Sequence, residues 1–549
     1  MTALSDLSNL PGLPGLPGLS HGSESALVDP VLAHSGLASS GPSVFVPSVS
    51  ANVAAHLAAL ADRCGWTARP AFLEAHRVWT HGEVHDRAAR AATVLAGRGV
   101  GAGDRVLMAL PDGIMWVATF LAVARLGAVA VLVNPGLTAD DHRFMAEDSR
   151  AALCVSGPGL QDHFDTARWL GADQLSALTG PDGVDAAAAA CEAEPVTADA
   201  PLYIQYTSGT TGRPKPATHT HGHVAAYYDL VGLDVLEIRP DDVTFSVSKL
   251  FYAYGFGNAF VFPLFSGSSA VLSAQRPGPG LTDDLVARHR VTLLYSVPSA
   301  YAALVDERGT GHTACFASVR AAVSAGESLP RGLGERVAEM LGAPVLEQIG
   351  STEAGHAFCA NTVWENTPGT LGRPVPRYEL ELRDGKGAVV AAAEGEAAEG
   401  ELWVRGPTVA ATRPADDGWL ATPDRVRRNP DGTYQHLGRV DDLEMVGGIT
   451  VSPLEVEEVL RHHPDVREVA VAAVPDSRGA TRLHAFVVPT APVAGGRTVD
   501  ERALSDDLIA LARKRLAAFK APRTVRVVAS LPRTQTGKLR RHVVRTGAW

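Results

Sequence analysis

Cysteine is scarce in this chain of 549 residues. Its five cysteines (Cys64, Cys154, Cys191, Cys315 and Cys359) lie far apart, and no two of them form a CxxC pair. An odd and scattered set of this kind is typical of reduced thiols rather than of a disulfide framework. We therefore expect a protein of the cytoplasm.

Positive charge is also in deficit. The formal net charge of −11 argues against a general nucleic-acid-binding protein, because phosphate backbones require a basic surface. The run most similar to a membrane span, residues 113–134, is interrupted by Arg125 and Gly127. We interpret this run as a buried helix followed by a strand, and we predict no membrane association. The N-terminus lacks the basic stretch that opens a signal peptide.

The length predicts more than one domain. Residues 1–45 include the repeat LPGLPGLPGL, which cannot build a packed core, so we predict a disordered or loosely attached tail. From residue 46 to 437, Ala-rich helical stretches alternate with short strand-like runs such as RVLMAL and VTLLYS. This alternation predicts a large α/β domain with mostly parallel strands.

Residues 438–549 are predicted to form a small α+β domain. Pro453 at the first helical position and the capping-box spacing of Ser452 and Glu455 predict a helix start, and Pro464 would end that helix. The runs VREVAVAAV and LHAFVVP resemble strands. Residues 511–549 contain eleven Lys or Arg and no Asp or Glu, which favours contact with a phosphate-bearing ligand.

The segment YIQYTSGTTGRPK, residues 203–215, carries the strongest functional pattern. It follows a strand-like run, and the residues after it resemble a helix start. A loop that cradles phosphates needs inward-pointing backbone N–H groups, glycines that permit close approach and a cation, and this segment has all three. Its glycines are too closely spaced for a Walker-type loop, and Pro216 follows Lys215. We predict phosphate binding outside the Walker class.

Six further motifs follow the loop in a fixed order. They are SAGE (324–327), GSTEAGH (350–356), TPD (422–424), GRVDD (438–442), VGGITVSPLEVE (446–457) and LPRTQTGKLRR (531–541). With the loop they resemble the adenylate-forming superfamily of acyl-CoA synthetases, adenylation domains and luciferases, over about residues 46–545. One motif would be weak evidence, whereas seven collinear motifs are strong evidence. The resemblance implies a large multi-sheet AMP-binding domain and a small mobile domain joined by a hinge.

The resemblance also implies a reaction. Enzymes of this superfamily use ATP to join a carboxylic acid to AMP with release of pyrophosphate, and such chemistry relies on positioning and charge neutralisation. The loop would hold the departing phosphates through hydroxyls, close backbone and one cation. The loop residues concerned are Thr207, Ser208, Gly209, Thr210, Thr211, Gly212 and Lys215.

Residues of the later motifs match other roles in the superfamily. Glu353 matches a magnesium-associated carboxylate, and Thr352 would stand beside the α-phosphate. Lys538 matches the mobile lysine that bridges the substrate carboxylate and the α-phosphate, and Asp441 matches the hinge. The residues expected around adenine and ribose are Ala325, Gly326, Glu327, Glu347, Asp424 and Arg439.

Four positions depart from the usual pattern of the superfamily. Pro216, Pro423, Ile349 and Met445 stand where members often have Gly, Gly, Tyr and Lys. None of these departures removes an expected catalytic charge.

The decapeptide KLFYAYGFGN, residues 249–258, most resembles benzoate–CoA ligases and related aryl-acid activators. It has no acidic residue that would pair with a substrate amine, so an α-amino acid is disfavoured. We expect an aromatic carboxylic acid of benzoate or cinnamate type between flat apolar walls. Glycines would leave space around the ring, and a histidine would contact a ring substituent. The expected pocket residues are Tyr252, Tyr254, Phe256, Gly350, Gly355 and His356.

The sequence leaves the acceptor of the acyl group open. CoA is the default for this subfamily, a phosphopantetheinyl carrier protein would suit the basic C-terminal segment, and other nucleophiles are alternatives. Related enzymes also activate other oxyacids, including nitrite for diazotisation of an aryl amine. A homodimer is expected from the family alone.

The sequence disfavours two further interpretations. A catalytically silent nucleotide-binding protein is disfavoured because Lys215, Glu353, Asp424 and Lys538 are all retained. The histidines of HTHGH have strand spacing but no Cys or acidic ligand nearby, so zinc is also disfavoured.

Overall fold

The computed structural model describes most of the chain beyond residue 50. The described residues are 51–180, 191–207, 214–309, 311, 313–391, 395–410, 418–442, 444–446, 449–475, 481–490, 500–533, 539–547 and 549. The predicted tail, residues 1–45, lies outside them.

Helices and strands alternate along the described chain. The strands are β1 (Pro70–Glu74), β2 (Arg77–Thr80), β3 (Arg105–Ala109), β4 (Val129–Leu132), β5 (Leu153–Ser156), β6 (Trp169–Gly171), β7 (Pro201–Thr207), β8 (Lys215–Thr220), β9 (Val243–Ser246), β10 (Ser269–Val271), β11 (Leu293–Ser296), β12 (Ala321–Ser324), β13 (Val345–Gly350), β14 (Ala357–Ala360), β15 (Arg373–Pro374), β16 (Glu379–Arg383), β17 (Ala398–Arg405), β18 (Leu420–Arg428), β19 (Tyr434–Arg439), β20 (Glu444–Val446), β21 (Ile449–Val451), β22 (Val466–Pro475), β23 (Thr481–Pro489) and β24 (Thr524–Val527). The α-helices are α1 (Val53–Arg63), α2 (His81–Gly97), α3 (Ile114–Arg125), α4 (Ala139–Asp148), α5 (Ala172–Leu178), α6 (His221–Tyr227), α7 (Ala253–Phe256), α8 (Phe262–Ser266), α9 (Pro279–His289), α10 (Pro298–Arg308), α11 (Arg331–Leu341), α12 (Pro453–Arg461), α13 (Glu501–Arg515) and α14 (Arg541–Val544).

Two large, mostly parallel sheets form the N-terminal part. One has the strand order β6-β5-β3-β4-β7-β8, and the other has the order β15-β14-β13-β12-β11-β9-β10-β1-β2. Antiparallel pairing is confined to their ends, at β7–β8, β1–β2 and β13–β14–β15. A further antiparallel sheet has the order β16-β17-β18-β19. This architecture confirms the predicted α/β fold with several sheets.

The apolar run at residues 113–134 forms a buried helix and a strand, as predicted. Helix α3 is buried along almost its whole length, and all four residues of β4 are buried. Strand β4 pairs in parallel with β3 and β7 at the centre of its sheet. No helix in the described part of the chain is long and apolar enough to cross a membrane.

The C-terminal part is a small α+β domain. Strands β22, β23 and β24 form its sheet, and apolar residues of α12 and α13 (among them Val456, Leu460, Leu504 and Leu508) share one core with it. The predicted helix and both predicted strands are confirmed. The predicted domain boundary after residue 437 falls within β19 and stays a prediction.

The predicted capping box at the start of α12 does not form. The Ser452 hydroxyl donates to the carbonyl of Leu437 at 2.9 Å, and no side-chain cap is made. The Glu455 carboxylate accepts from Lys520 Nζ at 2.6 Å instead of turning back to the helix start. Both side chains therefore bind groups outside the helix.

The basic C-terminal segment is used partly within its own domain. Arg533 pairs with Glu468, Arg545 pairs with Glu444, and Lys520 pairs with Glu455. Arg541 forms a bidentate pair with Glu457 at 2.8 and 3.0 Å. Since these cations neutralise acidic residues of the domain, only part of the segment's charge remains for a ligand.

The pair between Arg541 and Glu457 is the buried member of this set. The Glu457 side chain is 1% exposed, and it also accepts from the backbone N–H of Val471 at 2.8 Å. Arg461 contacts the same carboxylate at 3.2 Å. This carboxylate therefore joins α12, β22 and α14.

Replacing Arg541 by leucine leaves a buried carboxylate short of its main cation. We expect Arg541→Leu to destabilise the protein by about 3 kcal/mol. This value is at the lower end of the range for a broken buried ion pair, because Arg461 still contacts the Glu457 carboxylate. Arg533→Leu removes a half-exposed pair as the matched control and should cost only about 0–1 kcal/mol. Urea unfolding of both variants measures this, and equal losses would contradict the account.

Candidate active site

The phosphate-loop segment connects two strands of one hairpin. Strand β7 ends at Thr207, strand β8 begins at Lys215, and these two residues are Cα partners. The prediction of a helix directly after the loop is wrong, because six residues of strand precede α6. Pro216 is accommodated because β8 lies at the edge of its sheet, where a missing N–H costs little.

The structure describes only the two ends of this loop. Ser208, Gly209, Thr210, Thr211, Gly212 and Lys538 lie outside the described residues, as does the side chain of Asp441. Lys215 is exposed, and its ammonium makes no hydrogen bond or ion pair with any described residue. An anionic ligand would therefore meet no competing partner at this cation within the described chain.

Thr352 and Glu353 lie in the turn between β13 and β14. The backbone carbonyl of Glu353 accepts from Ala410 N at 2.7 Å, which fixes the turn. The Glu353 carboxylate is half-buried and has no hydrogen-bond or ion-pair partner among the described residues. A partly buried carboxylate without a cation fits a Mg²⁺ ligand, because this ion binds one or two carboxylates and substrate phosphates.

A buried hydrogen-bond network lies behind Thr352. His219 Nε2 donates to the carbonyl of Thr352 at 2.7 Å, and His219 Nδ1 accepts from the Tyr227 hydroxyl at 2.8 Å. The Tyr203 hydroxyl completes the network, 2.9 Å from that of Tyr227. Burial lowers the pKa of His219 to about 3, so the ring is neutral at physiological pH. His219 of the HTHGH segment therefore holds the Thr352 backbone.

The other histidines of HTHGH have different surroundings. His221 Nδ1 accepts from the backbone N–H of Val53 at the start of α1. His223 Nδ1 lies 3.1 Å from His219 Nδ1. The three rings thus do not converge on one point.

Gly350 and Gly355 permit close packing of protein atoms. Gly355 has φ +78°, and a Cβ there would lie 1.9 Å from the Tyr227 hydroxyl oxygen. A Cβ on Gly350 would lie 2.4 Å from the carbonyl oxygen of His356. This finding corrects the expectation that both glycines leave space for the substrate ring, because protein atoms fill that space.

The residues predicted around adenine and ribose lie on, or directly after, two pairs of hydrogen-bonded strands, β12–β13 and β18–β19. Glu347 of β13 is the Cα partner of Ser324, directly before Ala325, Gly326 and Glu327. Asp424 of β18 is the Cα partner of Arg439 on β19. The Glu347 carboxylate accepts from Gly369 N at 3.0 Å, and burial raises its pKa to about 7.

The KLFYAYGFGN segment is fixed by a buried ion pair. Lys249 Nζ lies 3.6 Å from Asp112 and donates to the carbonyls of Ser273 and Gln275. The other Asp112 oxygen accepts from Leu250 N at 3.0 Å. The pair therefore anchors the start of the segment to the loop after β3.

The aromatic residues of this segment divide into two groups. Tyr252 is half-buried and its hydroxyl accepts from Asn134 at 3.0 Å, while Tyr254 donates to the carbonyl of Val323 at 3.1 Å. Phe256 is fully buried, and four aromatic side chains (Trp116, Phe120, Tyr203 and Phe260) enclose its ring. We therefore assign Phe256 to the core rather than to the pocket wall.

Sequence reasoning missed Asn258, the last residue of the same segment. His356 Nε2 donates to Asn258 Oδ1 at 3.1 Å, and both side chains are buried. The His356 ring lies 6.2 Å from that of Tyr254, and burial lowers the pKa of His356 to about 3. His356 Nδ1 is then an acceptor, and it has no partner in the described part of the chain.

Comparisons with known proteins identify the family of the chain. Residues 61–412 match the family model of the AMP-binding enzyme, and residues 455–538 match that of the AMP-binding enzyme C-terminal domain. The chain belongs to the AMP-binding enzyme family. It is an AMP-forming acid ligase of the adenylate-forming superfamily, with the large and small domains typical of these enzymes.

Relatives within the AMP-binding enzyme family include two kinds of ligase. The chain is 41% identical to the p-hydroxybenzoic acid–AMP ligase FadD22 of Mycobacterium marinum, over 90% of this chain and 69% of that protein. It is 35% identical to the 4-hydroxybenzoate–CoA/benzoate–CoA ligase of Rhodopseudomonas palustris, over 86% of this chain and 90% of that enzyme.

Among solved structures, a benzoate CoA ligase from Burkholderia xenovorans LB400 is similar, with a TM-score of 0.78 at 33% identity. That match covers 90% of this chain and 99% of the ligase.

Replacing Gly355 by alanine tests whether its close packing positions the turn. The new Cβ would collide with Tyr227 and shift the turn, so we expect acid-dependent pyrophosphate formation to fall by about 10²-fold. Gly387→Ala is the matched control, because Gly387 has φ +83° and nothing within 4 Å of a Cβ. It should lose about 1 kcal/mol of stability and no activity. A wild-type rate in Gly355→Ala would contradict this function of the turn.

Proposed function

We propose that this enzyme activates an aromatic carboxylic acid as its acyl-adenylate (aryl-AMP). The aroyl group is then transferred to the thiol of CoA, which gives the aryl-CoA thioester and releases AMP. The observation that carries the proposal is the turn between β13 and β14. At one end it has Thr352 and the carboxylate of Glu353, which has no partner within the described chain, and at the other it has His356 beside Tyr254. One short segment thus borders a nucleotide site and an aryl pocket.

In the proposed first step, a substrate carboxylate oxygen attacks the α-phosphorus of ATP, and the bond to the β-phosphate breaks. Pyrophosphate leaves with the electron pair of that bond and so gains negative charge. Lys215 and the hydroxyls of residues 207–211 would offset this charge, and Lys538 would bridge the carboxylate and the α-phosphate. Glu353 would hold Mg²⁺, which neutralises phosphate charge when bound.

The proposed nucleotide site uses both pairs of strands. Asp424 accepts hydrogen bonds from the ribose hydroxyls, with Arg439 beside it. Ala325, Gly326, Glu327 and Glu347 border the adenine. The Cα pairings of Ser324 with Glu347 and of Asp424 with Arg439 support this arrangement.

The chemistry of His356 supports a particular class of acid. The Nε2–H of His356 is donated to Asn258, so Nδ1, which is buried and has no partner among the described residues, can accept a hydrogen bond but cannot donate one. We propose that Nδ1 accepts from a hydroxyl or amino group on the substrate ring. Related ligases named for 4-hydroxybenzoate, 3-hydroxybenzoate and anthranilate support this class.

The names of some relatives favour a second candidate for the acceptor of the acyl group. The FadD22 relatives are named as acid–AMP ligases, without mention of CoA, and their identity of 41% exceeds the 35% of the hydroxybenzoate–CoA ligase of R. palustris. A carrier protein or another nucleophile therefore stands as the alternative to CoA.

Pyrophosphate release across a panel of acids tests the proposal. We expect 4-hydroxybenzoate or 4-aminobenzoate to exceed 4-methylbenzoate by about tenfold or more in kcat/KM, because a buried acceptor without its donor is costly. His356→Leu should remove this difference. Octanoate as the best substrate would contradict the aryl class.

Adding CoA to the same reactions tests the acceptor. We expect an aryl-CoA thioester and faster turnover with CoA than without it. Unchanged turnover and no thioester would favour the carrier protein or another nucleophile.

A further inference from the structure

A chain of hydrogen bonds connects Asp424 to the loop after β12. His436 Nε2 lies 3.0 Å from Asp424 Oδ1, and His436 Nδ1 is hydrogen-bonded to the Ser328 hydroxyl. The side chains of His436 and Asp424 are 14% and 19% exposed. Ser328 stands 108 residues before His436, so the chain joins two distant segments.

The partners of His436 indicate how protons are arranged along the chain. A carboxylate only accepts, so His436 Nε2 donates to Asp424, and Nδ1 shares a hydrogen bond with the Ser328 hydroxyl. The other carboxylate oxygen, Asp424 Oδ2, has no hydrogen bond to any described residue. One oxygen is thus fixed by the protein, and the other is available to a ligand.

An irregularity in β19 brings His436 to this position. Arg425 pairs with Gly438 whereas Val426 pairs with His436, so Leu437 is an extra residue on β19. Such bulges re-aim side chains next to functional sites. The Leu437 carbonyl accepts from Ser452 at the start of α12, which ties the bulge to the small domain.

We infer that His436, held by Ser328, is a positioning residue that orients Asp424 Oδ2 toward the ribose hydroxyls of ATP. The inference rests on the proposed function, in which Asp424 binds the ribose. His436 itself touches neither the acid nor the phosphates. Its loss should therefore affect recognition of the ribose and leave the KM for the acid nearly unchanged.

The test compares ATP with 2′-deoxyATP and 3′-deoxyATP in acid-dependent pyrophosphate release. We expect His436→Leu to raise the KM for ATP about tenfold, the effect of one lost hydrogen bond to a charged group, and to leave the KM for the acid within about twofold. The preference for ATP over the deoxy nucleotides should fall by a similar factor. His436→Gln keeps an N–H near the Nε2 position and should restore most of that preference.

Further variants distinguish a failure of this inference from a failure of the proposed ribose site. Ser328→Ala should shift the same preference by about threefold, and it decides the question if His436→Leu does not fold. His462→Leu, at an exposed histidine after α12, should resemble wild type. A folded His436→Leu with the wild-type preference would overturn the inference, provided that Asp424→Asn loses it. If Asp424→Asn also keeps the preference, the ribose site of the proposed function fails and the inference fails with it.

Discussion

The hydrogen bond from His219 to the carbonyl of Thr352 is the constraint on which the site depends. It joins β8, directly after the phosphate-loop segment, to the turn between β13 and β14. Tyr227 and Tyr203 satisfy the other side of the imidazole, and Gly355 lets the turn approach Tyr227. Because buried polar groups are costly without partners, the network has one arrangement that satisfies all its members. The turn is therefore held from behind, and its outer face is available to ligands.

In the proposed function, this arrangement lets one short turn border two different ligands. The Glu353 carboxylate has no cation partner among the residues that the structure describes. Three residues later, the ring of His356 packs beside Tyr254 and Asn258. The ion pair of Lys249 with Asp112 anchors the segment that carries Tyr254. A carboxylic acid whose ring contacts His356 would in the proposed site direct its carboxylate toward the α-phosphate. In that site the fold would supply proximity, which lowers the barrier of a reaction between two bound substrates.

Sequence patterns predicted the architecture well because helices and strands depend mainly on residues that are close together in the sequence. The helix and strand at residues 113–134 and the strands β22 and β23 follow from hydrophobic runs and proline positions. Patterns did not predict contacts between distant residues. The pairs of His356 with Asn258 and of His436 with Ser328 span 98 and 108 residues. Phe256 shows the same limit, since an aromatic residue in a suggestive motif has the same sequence signature in a core and in a pocket wall.

The most direct test of the account is detection of the aryl-adenylate itself. The enzyme is incubated with ATP, Mg²⁺ and 4-hydroxybenzoate without any acceptor, quenched in acid and analysed by mass spectrometry. The account predicts 4-hydroxybenzoyl-AMP in amounts close to one per enzyme, and a loss of at least about 10²-fold in its rate of formation in Lys538→Ala. Consumption of ATP without any aryl-AMP, or undiminished aryl-AMP formation in Lys538→Ala, would contradict it.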